Sequence, residues 1–152
     1  MRYLMILLVA VVPVLVFAHT DHDTDSIKTR KALFTLIGAN MAALGNMAKG
    51  KTEYTAERAQ SHASNLGALA DYDLGPHFPE GSSMDDHKGE TRALAAIWSG
   101  RDKFDERWQD YVDATAALEA AAAEGRGAMA EALGRVGATC KGCHDDFRAK
   151  DF

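Results

Sequence analysis

The chain has 152 residues, with 17 basic and 22 acidic side chains and a formal net charge of −5 at neutral pH. This length supports one domain with a hydrophobic core and is too short for two comfortable ones. An acidic chain with no cluster of Lys and Arg is unsuited to a phosphate backbone, which argues against nucleic acid as a partner.

Residues 1–18 carry a lone Arg2, an apolar run from Tyr3 to Phe17, and the sequence Val16-Phe17-Ala18, which resembles a signal-peptidase site. The run is shorter than the ~18 or more residues of a spanning helix, and Pro13 interrupts it. We therefore expect a signal peptide over 1–18, an exported mature chain over 19–152 folded as a single domain, and no membrane contact after cleavage. Without Arg2 the mature chain keeps 16 basic and 22 acidic residues.

Residues 19–25 are polar and unpatterned and read as a loose lead-in. From Ser26 the pattern turns helical. Phe34, Ile37, Met41, Leu44 and Ala48 recur at steps of three and four, and Gly50 suits a left-handed C-terminal cap. A second helix from about Thr55 carries Ala56, Ala59, Ala63, Leu66 and Ala70, a narrow small-residue face that permits close approach to a neighbour. Residues 71–90 hold two prolines and three glycines with no helical stripe and form the one long loop. Ser99, with Asp102 three residues on, reads as the N-cap of a third helix whose stripe is Phe104, Trp108, Tyr111, Ala114, Leu118 and Ala121. A fourth helix, about 127–150, presents Met129, Leu133, Val136, Cys140, Cys143 and Phe147. No segment alternates as a strand would, and only one connection is long. The expected fold is an all-α, antiparallel four-helix bundle.

Both cysteines of the chain lie in "ATCKGCHDDFRAK", residues 138–150. The Cys140-Lys141-Gly142-Cys143-His144 spacing is the one used for covalent haem attachment. On a helix, residues three apart share a side, so both sulfurs can reach one edge of a flat macrocycle while His144 binds the iron from below. A thiol-exchange pair would open a helix in a βαβ setting, and a zinc site would need two further ligands at similar spacing; neither condition is met. Haem c, one per chain and covalently bound, is the expected cofactor. Gly134, Gly137 and Gly142 each cost roughly 1 kcal/mol of helix propensity against alanine, which suggests a bulky neighbour.

The segments "VGATCKGCHDDFRAK", "TRKALFTLIGANMAAL", "FPEGSS" and "AAIWS" resemble bacterial cytochrome c′, and the resemblance covers essentially the whole mature chain. Cytochrome c′ is itself a type example of the up-down-up-down bundle. The resemblance implies a periplasmic protein with high-spin iron bound on one face by histidine, and a homodimer. By motif position His144 matches the family's proximal ligand and Arg148 the basic residue beside it. Arg30 and Phe34 match an arginine that reaches a haem propionate and an apolar residue that caps the vacant iron face. Phenylalanine cannot ligate iron, so a five-coordinate centre that binds nitric oxide or carbon monoxide is expected, with redox proteins as further partners.

Read from periodicity alone, Phe34 is a core aromatic and Arg30 a solvated residue near a helix start. The competing function is a six-coordinate, low-spin electron carrier with a methionine sixth ligand, which brings Met41 and Met47 into question. Met41 lies two turns beyond Phe34, near 10 Å along the axis at ~1.5 Å per residue, and reads as core filling. His62 reads as a partly buried helix residue, while His19 with His22, and His77 with His87, share acidic segments that offer at most weak metal sites. No paired carboxylates or activated nucleophile occur, so no catalytic residues are assigned and no enzyme is expected.

Overall fold

The structure, a computed structural model, describes residues 20–151. The expected signal peptide and His19 lie outside the described residues, and so do the side chains of residues 20–22. Helix α1 spans Thr20–Ala48, α2 Ala56–Ala70, α3 Ala96–Ser99, α4 Arg101–Ala121 and α5 Arg126–Phe147, with a 3-10 turn at Gly75–His77. No strand occurs among the described residues. Helices α1, α2, α4 and α5 form a ring in which α1 packs on α2, α2 on α4, α4 on α5 and α5 on α1. Short links join α1 to α2 and α4 to α5, and the segment between α2 and α4 contains α3. This is the expected four-helix bundle.

The stripes read from the sequence face inward over most of their length. Ile37 and Leu44 of α1, Ala59, Ala63, Leu66 and Ala70 of α2, Phe104, Tyr111 and Leu118 of α4, and Met129, Val136 and Phe147 of α5 are all buried. The alanine face of α2 allows close approach to α1 and α4. Gly67 extends it: a Cβ there would meet Glu119 Oε2 at 2.9 Å, and Glu119 Oε1 accepts a 2.6 Å bond from Ser64 Oγ. At the end of α1 the amide of Lys51 bonds Asn46 O and that of Gly50 bonds Met47 O, with Gly50 at φ +68°. That arrangement is a Schellman cap, and glycine suits its left-handed residue.

Three expectations need correction. Helix α1 begins at Thr20, not Ser26. Asp23, in the first turn, complements the positive end of the helix dipole, and Ser26 and Ile27 are already buried. Ser99 is not a cap. It closes α3, where its amide bonds Ala95 O at 3.4 Å, and Gly100 caps α4 with no side-chain bond. A residue held in a helical turn cannot take the extended conformation an N-cap requires. Helix α5 stops at Phe147 and not at 150, because the chain beyond it pairs with residues 92–94: Leu94 N bonds Phe147 O at 3.0 Å and Ala149 N bonds Arg92 O at 2.9 Å.

The loop from 71 to 95 is ordered by local bonds. Trp98 Nε1 donates to Phe78 O at 3.0 Å. Asp86 accepts from Ser83 Oγ at 2.5 Å and Ser83 N at 3.1 Å, and the Ser83 hydroxyl bond is the first cause holding the Asp86 carboxyl below its ordinary 3.8. A pKa depressed on folding contributes stability that is complete above the unfolded value and drains away as pH falls through the folded one. Acidification below the ordinary carboxylate range should therefore loosen the 83–87 turn. In an NMR titration the Asp86 midpoint should rise toward 3.8 in Ser83→Ala.

Candidate functional site

A cavity of about 630 Å³ opens between α1, α4, α5 and the 71–95 loop. Its lining includes all six residues singled out from the sequence: Arg30, Phe34, Cys140, Cys143, His144 and Arg148. Helix α5 supplies Cys140, Cys143 and His144, which lie close together on its surface, and Arg148 follows at its C-cap in an extended conformation. Helix α1 supplies the first two, one turn apart.

The electrostatics of the α5 wall favour uncharged groups. Burial raises the pKa of Cys140, and burial with the neighbouring Cys140 pushes Cys143 up to about 11. Thiols held protonated at neutral pH are poor nucleophiles, which argues against thiol exchange. Burial, followed by the Arg92 guanidinium, lowers the His144 pKa below 6.5 against the pull of Asp145. A neutral imidazole is the form that binds a metal. On the outer side of α5, Asp146 pairs with Lys103 at 3.0 Å and Arg107 at 3.1 Å, which ties the helix to α4.

Phe34 is 40% exposed and meets Trp108 edge-on at 6.4 Å between ring centroids. It is a wall residue of the cavity, not the fully buried core aromatic that periodicity suggests. Arg30 departs further from its bland reading. Only 3% exposed, it donates from Nη1 to Ser82 Oγ at 2.9 Å and His77 O at 3.2 Å, and from Nη2 to Ser82 O at 2.6 Å and Thr91 Oγ1 at 2.9 Å. Its Cζ lies 4.5 Å from the Phe78 ring centroid. Burial lowers its pKa to about 10, which leaves it charged at neutral pH. The four terminal N–H groups thus serve the loop, and Nε–H alone is uncommitted to it.

The other residues weighed from the sequence separate cleanly. Met41 lines the cavity, whereas Met47 is 1% exposed in the core and does not. His62 Nδ1 lies 2.9 Å from Asn40 Oδ1, and Tyr72 Oη lies 2.7 Å from His77 Nε2. His87 sits 3.9 Å from Glu90. Among the described residues no cluster of three or more His, Cys, Asp and Glu could hold a metal ion. Sequence reasoning placed Trp108 and Tyr111 in the core and gave the loop no part in the site. Both aromatics line the cavity, as do Phe78, Thr91 and Arg92. For the aromatics the available signal was their three-residue spacing on a stripe that must face the cysteines; for the loop residues there was none.

The family description Cytochrome C′ matches residues 25–148. The chain belongs to the cytochrome c′ family. It is 42% identical over 150 residues to a cytochrome c′ of Cereibacter sphaeroides, an alignment that covers 98% of each chain. Among solved structures it resembles a Rhodobacter cytochrome c′ at 44% identity with a TM-score of 0.81, covering 84% of this chain and 98% of that one. It also resembles the nitric oxide complex of a cytochrome c prime variant from Alcaligenes xylosoxidans, at 28% identity with a TM-score of 0.75, covering 88% of this chain and 100% of that one.

Cytochrome c′ proteins carry covalently bound haem c, the cofactor the motif predicts. The residues present fit such a group. The cavity is lined mainly by apolar and aromatic side chains, two thiols and an imidazole share one wall, and Tyr111 leaves a buried hydroxyl without a protein partner. Replacing Arg30 would strand four loop oxygens at once. For Arg30→Gln we expect about 2–4 kcal/mol less stability in urea denaturation and faster proteolysis within 77–91.

Proposed function

We propose that this chain is a periplasmic c-type haem protein that binds nitric oxide or carbon monoxide at an iron held on one face and guarded on the other. The observation that carries this reading is the placement of Phe34, which cannot ligate, on the same cavity as Cys140, Cys143 and His144. When bound, the haem supplies an iron centre able to take a diatomic gas and to change oxidation state. Cys140 and Cys143 would hold the group covalently through their sulfurs, His144 would offer a neutral imidazole nitrogen to its metal, and Arg148 would place positive charge beside it. Phe34 with Trp108 excludes water from the opposite side and admits only small neutral molecules. Arg30, whose four terminal N–H groups hold the loop, would have only Nε–H left to offer a carboxylate of the group.

The nitric oxide complex of the Alcaligenes relative supports the gas-binding part of this reading. Export rests on residues 1–18 as a signal peptide, with 19–152 as the mature domain. No described helix is long and apolar enough to cross a membrane. A homodimer is the assembly this reading calls for, supported by a cytochrome c′ of similar structure with a ligand-controlled dimer dissociation. Redox proteins are the macromolecular partners this reading calls for, and the residues perform no catalysis of their own.

Met41 on the cavity wall favours a second reading, a low-spin electron carrier with a thioether as sixth ligand. The absorption spectrum of the reduced protein separates the two. Broad bands are expected from five-coordinate iron, and sharp low-spin bands abolished in Met41→Ala would establish the alternative. For Phe34→Ala, stopped-flow mixing should show carbon monoxide association accelerated by about tenfold or more, equivalent to ~1.4 kcal/mol of barrier. Unchanged association would remove Phe34 from the guarding role.

A further inference from the structure

The segment between α2 and α4 returns to the bundle at residues 92–94 and is stapled there to the end of α5. Leu94 N donates to Phe147 O at 3.0 Å, Ala149 N donates to Arg92 O at 2.9 Å, and Ala93 forms an antiparallel bridge with Arg148. Backbone atoms make this pairing, so it fixes the Arg92 backbone whatever side chain stands there. The side chain is half-buried on the cavity lining, and its Nη1 donates to Lys150 O at 3.1 Å. Arg92 therefore carries its guanidinium to the C-terminal end of α5, the end that bears His144. The charges felt by the His144 imidazole are the Arg92 guanidinium, which lowers its pKa, and the Asp145 carboxylate, which raises it.

Three other cations on the lining are committed elsewhere. Arg30 serves the loop, Lys31 on α1 donates to Glu90 O at 3.1 Å, and Arg107 is paired with Asp146 and Asp110. We propose that Arg92 is a positioning residue for the axial bond: held beside His144 by the strap, its charge weakens the imidazole as an electron donor and favours the reduced state of the metal. The inference rests on His144 as the axial ligand and deepens that reading. Family resemblance placed the proximal charge on Arg148 alone, whereas Arg92 comes from the loop and reaches His144 only through the tertiary pairing. A nearby cation opposes any build-up of negative charge on the ring, and groups around a ligand tune its basicity in this way. The same cation lies closer in energy to a metal that has gained an electron than to one that has lost it.

The test compares the haem-loaded protein with Arg92→Gln, Arg92→Lys and Lys31→Gln. Glutamine keeps an N–H donor for Lys150 O and leaves the backbone pairing untouched, so the change is mainly one of charge. Redox titration gives the midpoint potential, and resonance Raman spectroscopy of the reduced form gives the iron–histidine stretching band. In Arg92→Gln the ferric-to-ferrous ratio at a fixed potential should rise about three- to tenfold, a fall of roughly 30–60 mV at 59 mV per decade. The band should move to higher frequency. Arg92→Lys should stay near the native values, and Lys31→Gln should leave the band in place. An unmoved potential in Arg92→Gln overturns the proposal. A lower potential with an unmoved band overturns it too, because the cation then acts on a carboxylate of the group and not on the imidazole. So does an Arg92→Lys that behaves like Arg92→Gln, a band that moves equally in Lys31→Gln, or a glutamine variant that no longer takes up haem. A native protein whose reduced form shows no iron–histidine band sinks the five-coordinate reading through His144 itself, before any variant is made.

Discussion

The cavity end of the bundle depends on one buried cation. An up-down-up-down bundle needs only short turns, yet here the segment between α2 and α4 is long, Gly- and Pro-bearing, and forms part of the cavity wall. Arg30 fastens it. Its four terminal N–H groups reach three separate points of the loop, at residues 77, 82 and 91, and its guanidinium lies over Phe78. Taking a charge out of water without a carboxylate partner is costly, and dense bonding to oxygen acceptors offsets that cost. Because Phe34 follows one helical turn later, the loop wall and the Phe34 ring are fixed to the same stretch of α1.

Around that frame the site favours neutrality. The same burial that raises both thiols lowers His144, so each group is pushed toward its uncharged form. The acidic groups at the end of α5 do not line the cavity: Asp146 engages Lys103 and Arg107, and Asp145 pairs with Lys141, whereas the charged groups facing the cavity are mostly cations, among them Arg30, Arg92, Arg107 and Arg148. The close packing inferred around the α5 glycines is not made by protein atoms. A Cβ at Gly137, which lines the cavity, would meet nothing within 4 Å, and one at Gly142 only the Arg107 guanidine carbon at 4.0 Å.

The cavity has two chemical halves. The α5 side bears the groups suited to covalent attachment and ligation, whereas Phe34, Trp108 and Tyr111 provide bulk, exclusion of water and one polar atom. This aromatic wall is built from two helices, α1 and α4, that do not lie side by side in the ring and face each other across the cavity.

Spacing along the chain was enough to establish the bundle and to single out the candidate attachment residues. Steps of three and four residues define a helical face wherever the helix sits, and Cys140, Cys143 and His144 are neighbours on a single turn, so their relation needs no tertiary contact. The resemblance to cytochrome c′ added Arg30, Phe34 and Arg148, which local pattern could not distinguish from surface or core residues. Tertiary structure alone decided the rest. Arg30 bonds groups 47 to 61 positions away, and Phe34 finds Trp108 across the bundle. Whether the Tyr111 hydroxyl has a partner likewise depends on what other helices bring near it. Such facts are set by how separate helices and a loop come together, and a one-dimensional period carries information only about the helix on which it is written.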